Sequence, residues 1–296
     1  MPKVSVIFVN HNSDHYLLES VRSLVNSTKY APYEIIIVDN NSTDNSLGLV
    51  ERQYPDIRIV RNPRNEGFAK ANNQGMKIGE GDYYLLINND VYVKNDILKI
   101  FVEFMEEHPE AGACGGKLLN KNGRVQQQCK RGFPTPWNIF SHLTGLSKLF
   151  PKSRLFAGYL ITYIDPDKVA EVDSLSGACM FVRKEVIETS GGMDESFFMY
   201  GEDIDWCYRI KQLGWKIYYL PQAEITHYGE KGGKRNKVKR IYEYYRAMFI
   251  FYNKHYKRKY IFIVNWLVYF GIFAKGGWHY LRYLINRRKS VGSNKG

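Results

Sequence analysis

Long apolar runs that alternate with helical patterns constrain the fold more than any other feature of the first 115 residues. Four runs have the continuous apolar composition of buried strands, beginning near Val4, Glu34, Ile57 and Tyr83. The segments between them space apolar residues at helical intervals. Strands that are apolar on both faces and separated by helices are typical of a mainly parallel sheet with helices on both faces. The sequence therefore predicts a Rossmann-like α/β fold.

Capping and turn residues predict where elements begin and end. Ser13 or Asp14 is expected to cap the first helix, a second helix is expected over residues 44–54, and a third opens just after Gly67. Asn122 and Gly123 predict a hairpin turn.

Beyond residue 133 the pattern is less regular. Residues 133–170, with four prolines and scattered aromatics, predict a long irregular loop or lid. Residues 173–192 are typical of a strand leading into a helix, 193–215 of an acidic loop and helix, and 216–229 of one or two closing strands.

The formal net charge of +12 is concentrated at the C-terminal end. Residues 231–296 contain 17 lysines and arginines against one acid, Glu243, whereas residues 1–230 contain 25 basic and 29 acidic residues. This asymmetry predicts two parts with different partners. We expect an α/β domain over residues 1–230 and a C-terminal helical, basic and aromatic segment over residues 231–296.

The C-terminal segment contains an apolar run of 14 residues, Ile261 to Ala274. A helix needs about 20 apolar residues to span a bilayer. Basic residues at 257–259, 275 and 287–289, with nearby tyrosines and tryptophans, favour an element that lies in an anionic membrane surface. The alternatives are a helix packed on the first domain and a nucleic-acid-binding tail. Because the aromatics do not alternate with the basic residues, stacking on bases is disfavoured.

Cysteine usage and the N-terminus bear on the compartment. The four cysteines lie far apart without a CxxC pair, which argues against a zinc site or a disulfide framework and fits a reducing cytosol. The N-terminal apolar run is too short for a signal peptide.

Polar side chains follow three of the predicted strands, at Asn10–Asn12, Asp39–Asp44 and Asn88–Asp90. Open α/β sheets bind ligands at the carboxyl ends of their strands. A plain turn is the alternative for Asn88–Asp90, since Asn and Asp favour turns. Glu202–Asp203 and His227 add further acidic or metal-capable side chains.

Seven segments, in this order and spacing, resemble the family 2 glycosyltransferases, which have the GT-A fold: VSVIFVNHN, IIIVDNNSTD, NEGFAKANNQG, LLINNDV, SGACMFVRKEV, DESFFMYGEDIDWCYR and the later His227. The resemblance covers about residues 3–230. It is strongest to the bacterial rhamnosyltransferase-like branch, which builds cell-surface polysaccharide. It implies an enzyme that uses a nucleotide-sugar donor and a divalent cation.

For the donor, the resemblance implies a pyrimidine nucleoside diphosphate sugar bound near Asn10. Asp39 would accept a hydrogen bond from the N3–H of the base, and Asp44 would bind the ribose or the base, unless it only caps a helix. Gly67 would let the backbone approach the ligand closely. Lys70 and the helix N-terminus beside it would face the phosphates, unless Lys70 is an ordinary surface lysine.

For the metal, Asn88, Asn89 and Asp90 occupy the place of the family's DXD motif. Asp90 would supply a carboxylate ligand and Asn88 an amide oxygen, both suited to Mg²⁺. This departs from the usual two-acid form. His227 lies where some relatives use a histidine ligand, which suits Mn²⁺ better than Mg²⁺; the alternative is an ordinary hydrogen-bonded histidine.

For catalysis, Asp203 lies where the family's base lies, with Glu202 as the adjacent candidate. One carboxylate opposite the diphosphate would give direct displacement with inversion. Both could instead be acids stabilised by a helix N-terminus, and Asp205 is expected to have that structural role. The loop 133–167 and four aromatic residues are candidates for acceptor binding: Trp137, Phe197, Phe198 and Tyr200.

These observations predict an inverting glycosyltransferase, with dTDP-rhamnose favoured as donor by resemblance alone. The acceptor would be a lipid-linked or cell-surface glycan, reached by a cytoplasmic enzyme peripherally associated with the inner face of the cell membrane, without a nucleic-acid partner. A nucleotidyltransferase would carry a Gly-rich basic loop after the first strand, and a dinucleotide-dependent oxidoreductase a GxGxxG motif. Neither is present. A nucleic-acid-binding α/β protein remains the other alternative.

Overall fold

The structure is a computed structural model that describes residues 1–229 and 237–292. The strands are β1 (Val4–Asn10), β2 (Tyr33–Asp39), β3 (Arg58–Arg61), β4 (Tyr83–Asn88), β5 (Val91–Val93), β6 (Ala111–Leu119), β7 (Lys130–Arg131), β8 (Ala170–Glu171), β9 (Ser174–Leu175), β10 (Cys179–Arg183) and β11 (Lys216–His227). The helices are α1 (Tyr16–Ser27), α2 (Ser46–Gln53), α3 (Phe68–Ile78), α4 (Ile97–Glu107), α5 (Pro136–Leu143), α6 (Leu146–Leu149), α7 (Lys184–Ser190), α8 (Glu202–Gln212), α9 (Lys237–His255) and α10 (Phe262–Gly292).

In the described part of the chain, nine strands form one sheet in the order β3-β2-β1-β4-β10-β6-β11-β5, with β8 also paired to β11. Strands β3, β2, β1 and β4 are mutually parallel, and β6 is parallel to β11. Strand β10 runs antiparallel between β4 and β6. The predicted mainly parallel α/β sheet is confirmed. Strands β7 and β9 form a separate two-stranded sheet.

Several local predictions need correction. Helix α1 begins after His15, not at a Ser13 or Asp14 cap. The reason is that the Ser13 hydroxyl donates to Asn10 Oδ1 (2.6 Å), while Asp14 has a positive φ of 53°. The turn at Gly123 is present, but one bridge, Leu119 to Val125, replaces the hairpin's second strand. Residues 133–170 contain α5 and α6, so they are not a wholly irregular loop.

The C-terminal helices pack onto α8 through a second, smaller apolar cluster. At its edge the fully buried carboxylate of Asp205 accepts hydrogen bonds from Arg209 Nε (2.9 Å), His255 Nε2 (2.7 Å) and Lys254 Nζ (3.1 Å). Since Lys254 and His255 belong to α9, Asp205 ties α9 to α8. The expected structural role of Asp205 agrees with these contacts.

Helix α10 packs along α9, where Tyr252 Oη donates to Asn265 Oδ1 at 2.6 Å. Its other side leaves large apolar residues exposed, among them Phe262, Trp266 and Phe270. Within residues 1–229 and 237–292, no helix has the length and apolar character needed to cross a membrane. The predicted domain boundary at 230/231 and the basic side chains at 287–289 lie outside the described residues.

All four cysteines are buried and unpaired. Burial raises the pKa of each thiol, to about 12 for Cys179 and Cys207. Cys114 and Cys179 lie in the sheet, Cys207 in α8 and Cys129 in the turn before β7.

Gly75 tests how closely α3 packs on β1. An added Cβ would lie 2.6 Å from Ile7 Cγ2. Alanine gains about 1 kcal/mol in helix propensity, but overpacking costs about 1–3 kcal/mol. We expect Gly75→Ala to lower the free energy of unfolding by about 1 kcal/mol in urea titrations. Gly277→Ala in α10, where nothing lies within 4 Å of the added Cβ, is the matched control and should not destabilise. Equal stabilisation by both changes would contradict this packing.

Asp205 predicts a pH dependence of stability. Burial alone would raise its pKa, but hydrogen bonds from His255, Lys254 and Arg209 outweigh this and lower it. The stabilisation is therefore complete above the unfolded pKa of about 3.9 and is lost as the pH falls through the lower folded value. We expect Asp205→Asn to lower the free energy of unfolding by about 3–5 kcal/mol at neutral pH. The variant should also lose less stability than the wild type as the pH falls, measured by urea unfolding from pH 3 to 7. An unchanged acid profile would contradict the assignment.

Candidate functional site

The sheet register brings the three predicted strand ends to one edge. Asn10 pairs with Asp39 between β1 and β2, and Val9 pairs with Asn88 between β1 and β4. Because these strands are parallel, their carboxyl ends lie side by side. This is the edge at which open α/β sheets bind ligands.

Asn10 is buried and links the side chains of this edge by hydrogen bonds. Its Nδ2 donates to Asp39 Oδ1 (2.8 Å) and lies 3.0 Å and 2.9 Å from the hydroxyls of Ser42 and Ser46. Its Oδ1 accepts from Asn89 Nδ2 at 3.1 Å. With its polar atoms engaged in this way and no exposed surface, Asn10 holds Asp39 and Asn89 in place.

The carboxylate of Asp39 is mostly buried but keeps hydrogen-bonding capacity. Its Oδ1 accepts from Asn10 and from the Ser42 hydroxyl (2.6 Å), while Oδ2 accepts the Ser42 backbone N–H (2.9 Å). A carboxylate oxygen can accept two hydrogen bonds, so Oδ2 can take one more from a ligand N–H.

Asp44 stands just before α2. Its Oδ1 accepts from the backbone N–H (3.1 Å) and the hydroxyl (2.5 Å) of Ser46, the first residue of that helix. Its Oδ2 accepts from the Asp14 backbone N–H at 2.7 Å. These contacts match the alternative interpretation of Asp44 as a helix-starting residue.

Gly67 and Lys70 make other contacts than the ones expected. Gly67 has φ of 91°, and an added Cβ would lie 2.6 Å from the backbone oxygen of Phe198, which accepts the N–H of Phe68. The close approach at Gly67 is therefore to the segment before α8. Lys70 Nζ donates to Glu66 at 2.9 Å, as a surface lysine would.

Asn88, Asp90 and His227 converge at the end of β4. His227 Nε2 lies 3.2 Å from Asn88 Nδ2 and 3.2 Å from Asp90 Oδ1. Gln126 orients the imidazole: its Nε2 donates to the His227 backbone oxygen (2.8 Å), and its Oε1 lies 3.0 Å from Nδ1. Since that oxygen can only accept, Nδ1 carries a proton, and Nε2 faces both Asn88 Nδ2 and Asp90 Oδ1.

This arrangement suits a divalent cation. A carboxylate oxygen 3.2 Å from an imidazole nitrogen can share a cation with it, and an outer hydrogen bond on Nδ1 is typical of metal-binding histidines. Asp90 and His227 supply two ligands, one carboxylate oxygen and one imidazole nitrogen. In the described part of the chain, no three His, Cys, Asp or Glu side chains group as a metal site, so Asn88 and a ligand would have to complete the coordination.

Asp203 is held by a residue that the sequence did not single out. Its Oδ2 accepts from Arg131 Nη2 at 2.6 Å and from the Gly177 N–H at 3.1 Å, whereas Oδ1 accepts, among the residues that the structure describes, only the adjacent Ile204 N–H. The same Nη2 donates to the Leu175 backbone oxygen, so β7 and β9 fix the carboxylate. An arginine 72 residues earlier, in a segment without periodicity, gave no signal of this pairing.

The neighbouring carboxyl groups of Asp203 and Glu202 have different surroundings. Burial would lower the pKa of Arg131, but the charge of Asp203 outweighs this and raises it. Glu202 is buried, and its Oε2 has no hydrogen-bond partner among the described residues. Burial and then the negative charge of Asp203 raise the pKa of Glu202 well above its usual value. Glu202 is thus favoured as a neutral acid beside an ion-paired aspartate.

The two halves of the edge are linked through the turn before β10. The Ala178 backbone oxygen accepts the N–H of Asn88, and the neighbouring Gly177 donates to Asp203.

Of the aromatic candidates, Phe197 is only 1% exposed and belongs to the second cluster. It is therefore a core residue and not an acceptor contact. Trp137 is 44% exposed.

Comparison with known proteins extends these observations. Residues 5–188 match the model of glycosyl transferase family 2. The chain is 26% identical over 257 residues to an N-acetylglucosaminyl-diphospho-decaprenol L-rhamnosyltransferase of Mycobacterium tuberculosis, covering 83% of this chain and 82% of that protein. It is 26% identical over 234 residues to the rhamnosyltransferase WbbL of Escherichia coli, covering 76% and 83%.

Solved structures establish the fold. S. aureus TarS 1-349 in complex with UDP-GlcNAc matches with a TM-score of 0.59 at 20% identity, covering 84% of this chain and 65% of that one. A mannosyltransferase from Pyrobaculum calidifontis, in complex with GDP-Man and Mn²⁺, matches with a TM-score of 0.57 at 18% identity, covering 86% and 64%. This chain therefore spans slightly less than two thirds of these structures. With a family match over more than half of its length, the chain belongs to glycosyl transferase family 2, as a glycosyltransferase of the branch that contains rhamnosyltransferases.

Proposed function

We propose that this glycosyltransferase transfers L-rhamnose from dTDP-rhamnose, with inversion, to a hydroxyl of a lipid-linked glycan at the cytoplasmic face of the membrane. The observation that carries the inverting reaction is the single carboxylate of Asp203, whose Oδ2 is fixed by Arg131 while Oδ1, bonded to the adjacent Ile204 N–H, keeps capacity for one more hydrogen bond. The named activities of the two rhamnosyltransferase relatives support the sugar. The first of them supports a diphospho-polyprenol-linked N-acetylglucosamine as acceptor.

The donor would bind along the edge formed by β1, β2 and β4. We propose that Asp39 Oδ2 accepts the N3–H of thymine and that Asp44 contacts the ribose, while Asn10 and Asn89 hold the edge in shape. The N-terminus of α3 with Lys70 would face the diphosphate through its N–H groups beyond Phe68, because Gly67 and the Phe68 N–H pack against Phe198. For this, Lys70, whose side chain is 38% exposed, must leave the partly covered carboxylate of Glu66.

A divalent cation would be held by Asp90, His227 and the Asn88 oxygen together with the donor diphosphate. For Asn88 this requires its amide to turn, since its nitrogen now lies toward His227. When bound, the cation would neutralise charge on the departing diphosphate. The histidine ligand favours Mn²⁺ over Mg²⁺.

In the reaction, Asp203 Oδ1 would accept the proton of the acceptor hydroxyl. The acceptor oxygen forms a bond to the anomeric carbon from the face opposite the diphosphate, whose bond to that carbon breaks. Arg131 would keep Oδ2 occupied, so that Oδ1 alone serves as base. Glu202 is poorly suited to this role, because it is buried and its raised pKa favours the protonated form, which cannot take up another proton.

Residues 231–296 would form a membrane-contacting segment attached to a transferase domain of residues 1–230. The support is the basic composition of the segment and the exposed apolar side of α10. An enzyme lying on the membrane that carries its acceptor gains effective concentration.

Thermal stabilisation by donors tests this function first. We expect dTDP-rhamnose with Mn²⁺ to raise the melting temperature more than UDP-glucose, UDP-GlcNAc or GDP-mannose, and EDTA to abolish the shift. His227→Ala and Asp90→Asn should lose the metal-dependent part, whereas His108→Ala, a half-exposed histidine at the end of α4, should keep it. A shift that survives EDTA would reject the metal site, and no shift with any donor would reject the donor assignment.

Arg131 and Asp203 test the mechanism. We expect Asp203→Asn to lower kcat about 10²–10⁴-fold and Arg131→Gln about 10²-fold, because a displaced base loses its alignment. The donor KM should change little. Arg131→Lys should recover part of the loss, and Arg58→Gln, an exposed arginine, should resemble the wild type. Kinetics with dTDP-rhamnose and a short-chain polyprenyl diphosphate N-acetylglucosamine, on variants checked by melting, measure this. Near-normal turnover of Asp203→Asn would refute the base.

A further inference from the structure

Residues 133–164, which we name the insertion, separate β7 from β8 and contain α5 and α6. The insertion has no Asp or Glu, and it carries Lys148, Lys152 and Arg154. All charged residues of the insertion are therefore basic, although residues 1–230 as a whole are mildly acidic.

The insertion exposes more apolar surface than a soluble loop needs. Six large apolar side chains, between 44% and 70% exposed, occur within 19 residues: Trp137, Phe140, Leu143, Leu149, Phe150 and Leu155. Its rings also contact one another, with centroids 5.8 Å apart for Trp137 and Phe140 and 5.2 Å for Phe150 and Phe156. Contiguous exposed apolar patches mark sites of protein or membrane contact.

The insertion borders the C-terminal helices. Phe133 at its start packs edge-on against Tyr208, a member of the cluster that holds α9 (centroids 4.9 Å apart). Lys275 of α10 lies near His142 of α5: burial, and then the charges of Lys275 and Lys148, lower the pKa of that imidazole. The exposed apolar residues of α5 and α10 thus belong to neighbouring elements.

The insertion also adjoins the candidate base. It begins two residues after Arg131, which holds Asp203. The N–H of Gly132, just before the insertion, donates to the backbone oxygen of Tyr159 in its second half (2.8 Å). A surface that seats the insertion would therefore lie close to the place where an acceptor must enter.

We propose that the insertion is a second membrane-contacting element, which seats with α10 on an anionic lipid bilayer. This inference deepens the proposed function and rests on it for the membrane-borne acceptor. The charges indicate which partner binds this surface. The insertion has no acidic residue, and residues 237–292 have one, Glu243. A second copy would bring like charges together, whereas anionic headgroups complement the lysines and arginines while the acyl region accepts the apolar side chains.

Co-sedimentation of the full chain with phosphatidylcholine vesicles, with and without phosphatidylglycerol, tests the proposal. The insertion variant is Phe140→Glu with Leu149→Glu, and the α10 variant is Ile263→Glu with Leu267→Glu. The matched control is Val169→Glu with Leu213→Glu, two residues that are also 43% and 50% exposed but lie outside both elements. Circular dichroism and donor-induced stabilisation check that each variant is folded.

We expect wild type and control to bind anionic vesicles and each of the other variants to bind at least about tenfold more weakly. Lys148→Glu with Lys152→Glu, which removes no apolar group, should weaken binding and reduce its dependence on salt. Loss of binding in the α10 variant but not in either insertion variant would overturn the inference and leave membrane association intact.

Three further outcomes are distinct. If the wild type does not bind vesicles but is stabilised by a donor, both membrane claims fall and the transferase stands. If the insertion variant instead dissociates a dimer, seen by light scattering without vesicles, the surface belongs to a second copy and the inference is wrong. Vesicle binding without any donor stabilisation would refute the donor assignment alone.

Discussion

Two largely buried carboxylates with basic partners fix the first turn of α8, and the geometry around the candidate base depends on them. Asp203 is held by Arg131 of β7, while Asp205 is held by Arg209 and by Lys254 and His255 of α9. Residues two apart on an α-helix point about 200° apart, so α8 is clamped from two sides. Removing one member of a buried pair leaves an uncompensated charge. The orientation of Asp203 is thus a property of the fold.

The opposite side of the site is built with few charges. Amide side chains dominate the ends of β1 and β4, and Asp90 is the carboxylate that faces His227. A cation there would meet about one negative charge from the protein, so its remaining neutralisation would come from a diphosphate. Such a site favours the metal and the donor together over either one alone.

Sequence reasoning captured the periodic parts of the molecule. The buried strands, the helix after Gly67 and the shared edge of Asn10, Asp39 and Asn88 followed from apolar runs and polar strand ends. It missed contacts that arise only when distant segments meet: Arg131 with Asp203, and Gln126 with His227. It also misplaced the start of α1, because the Ser13 hydroxyl binds Asn10 rather than capping the helix. Neither periodicity nor residue type reports such pairings.

The burial of the four cysteines has a practical consequence. A thiol reacts with maleimides and with oxidants as its thiolate, and burial both raises the thiol pKa and blocks access. The native cysteines of the folded protein are therefore expected to react very slowly with thiol reagents. A single cysteine introduced on the surface could carry a fluorophore or a spin label without removal of any native residue. Gradual appearance of native thiol reactivity would in turn report the opening of the core.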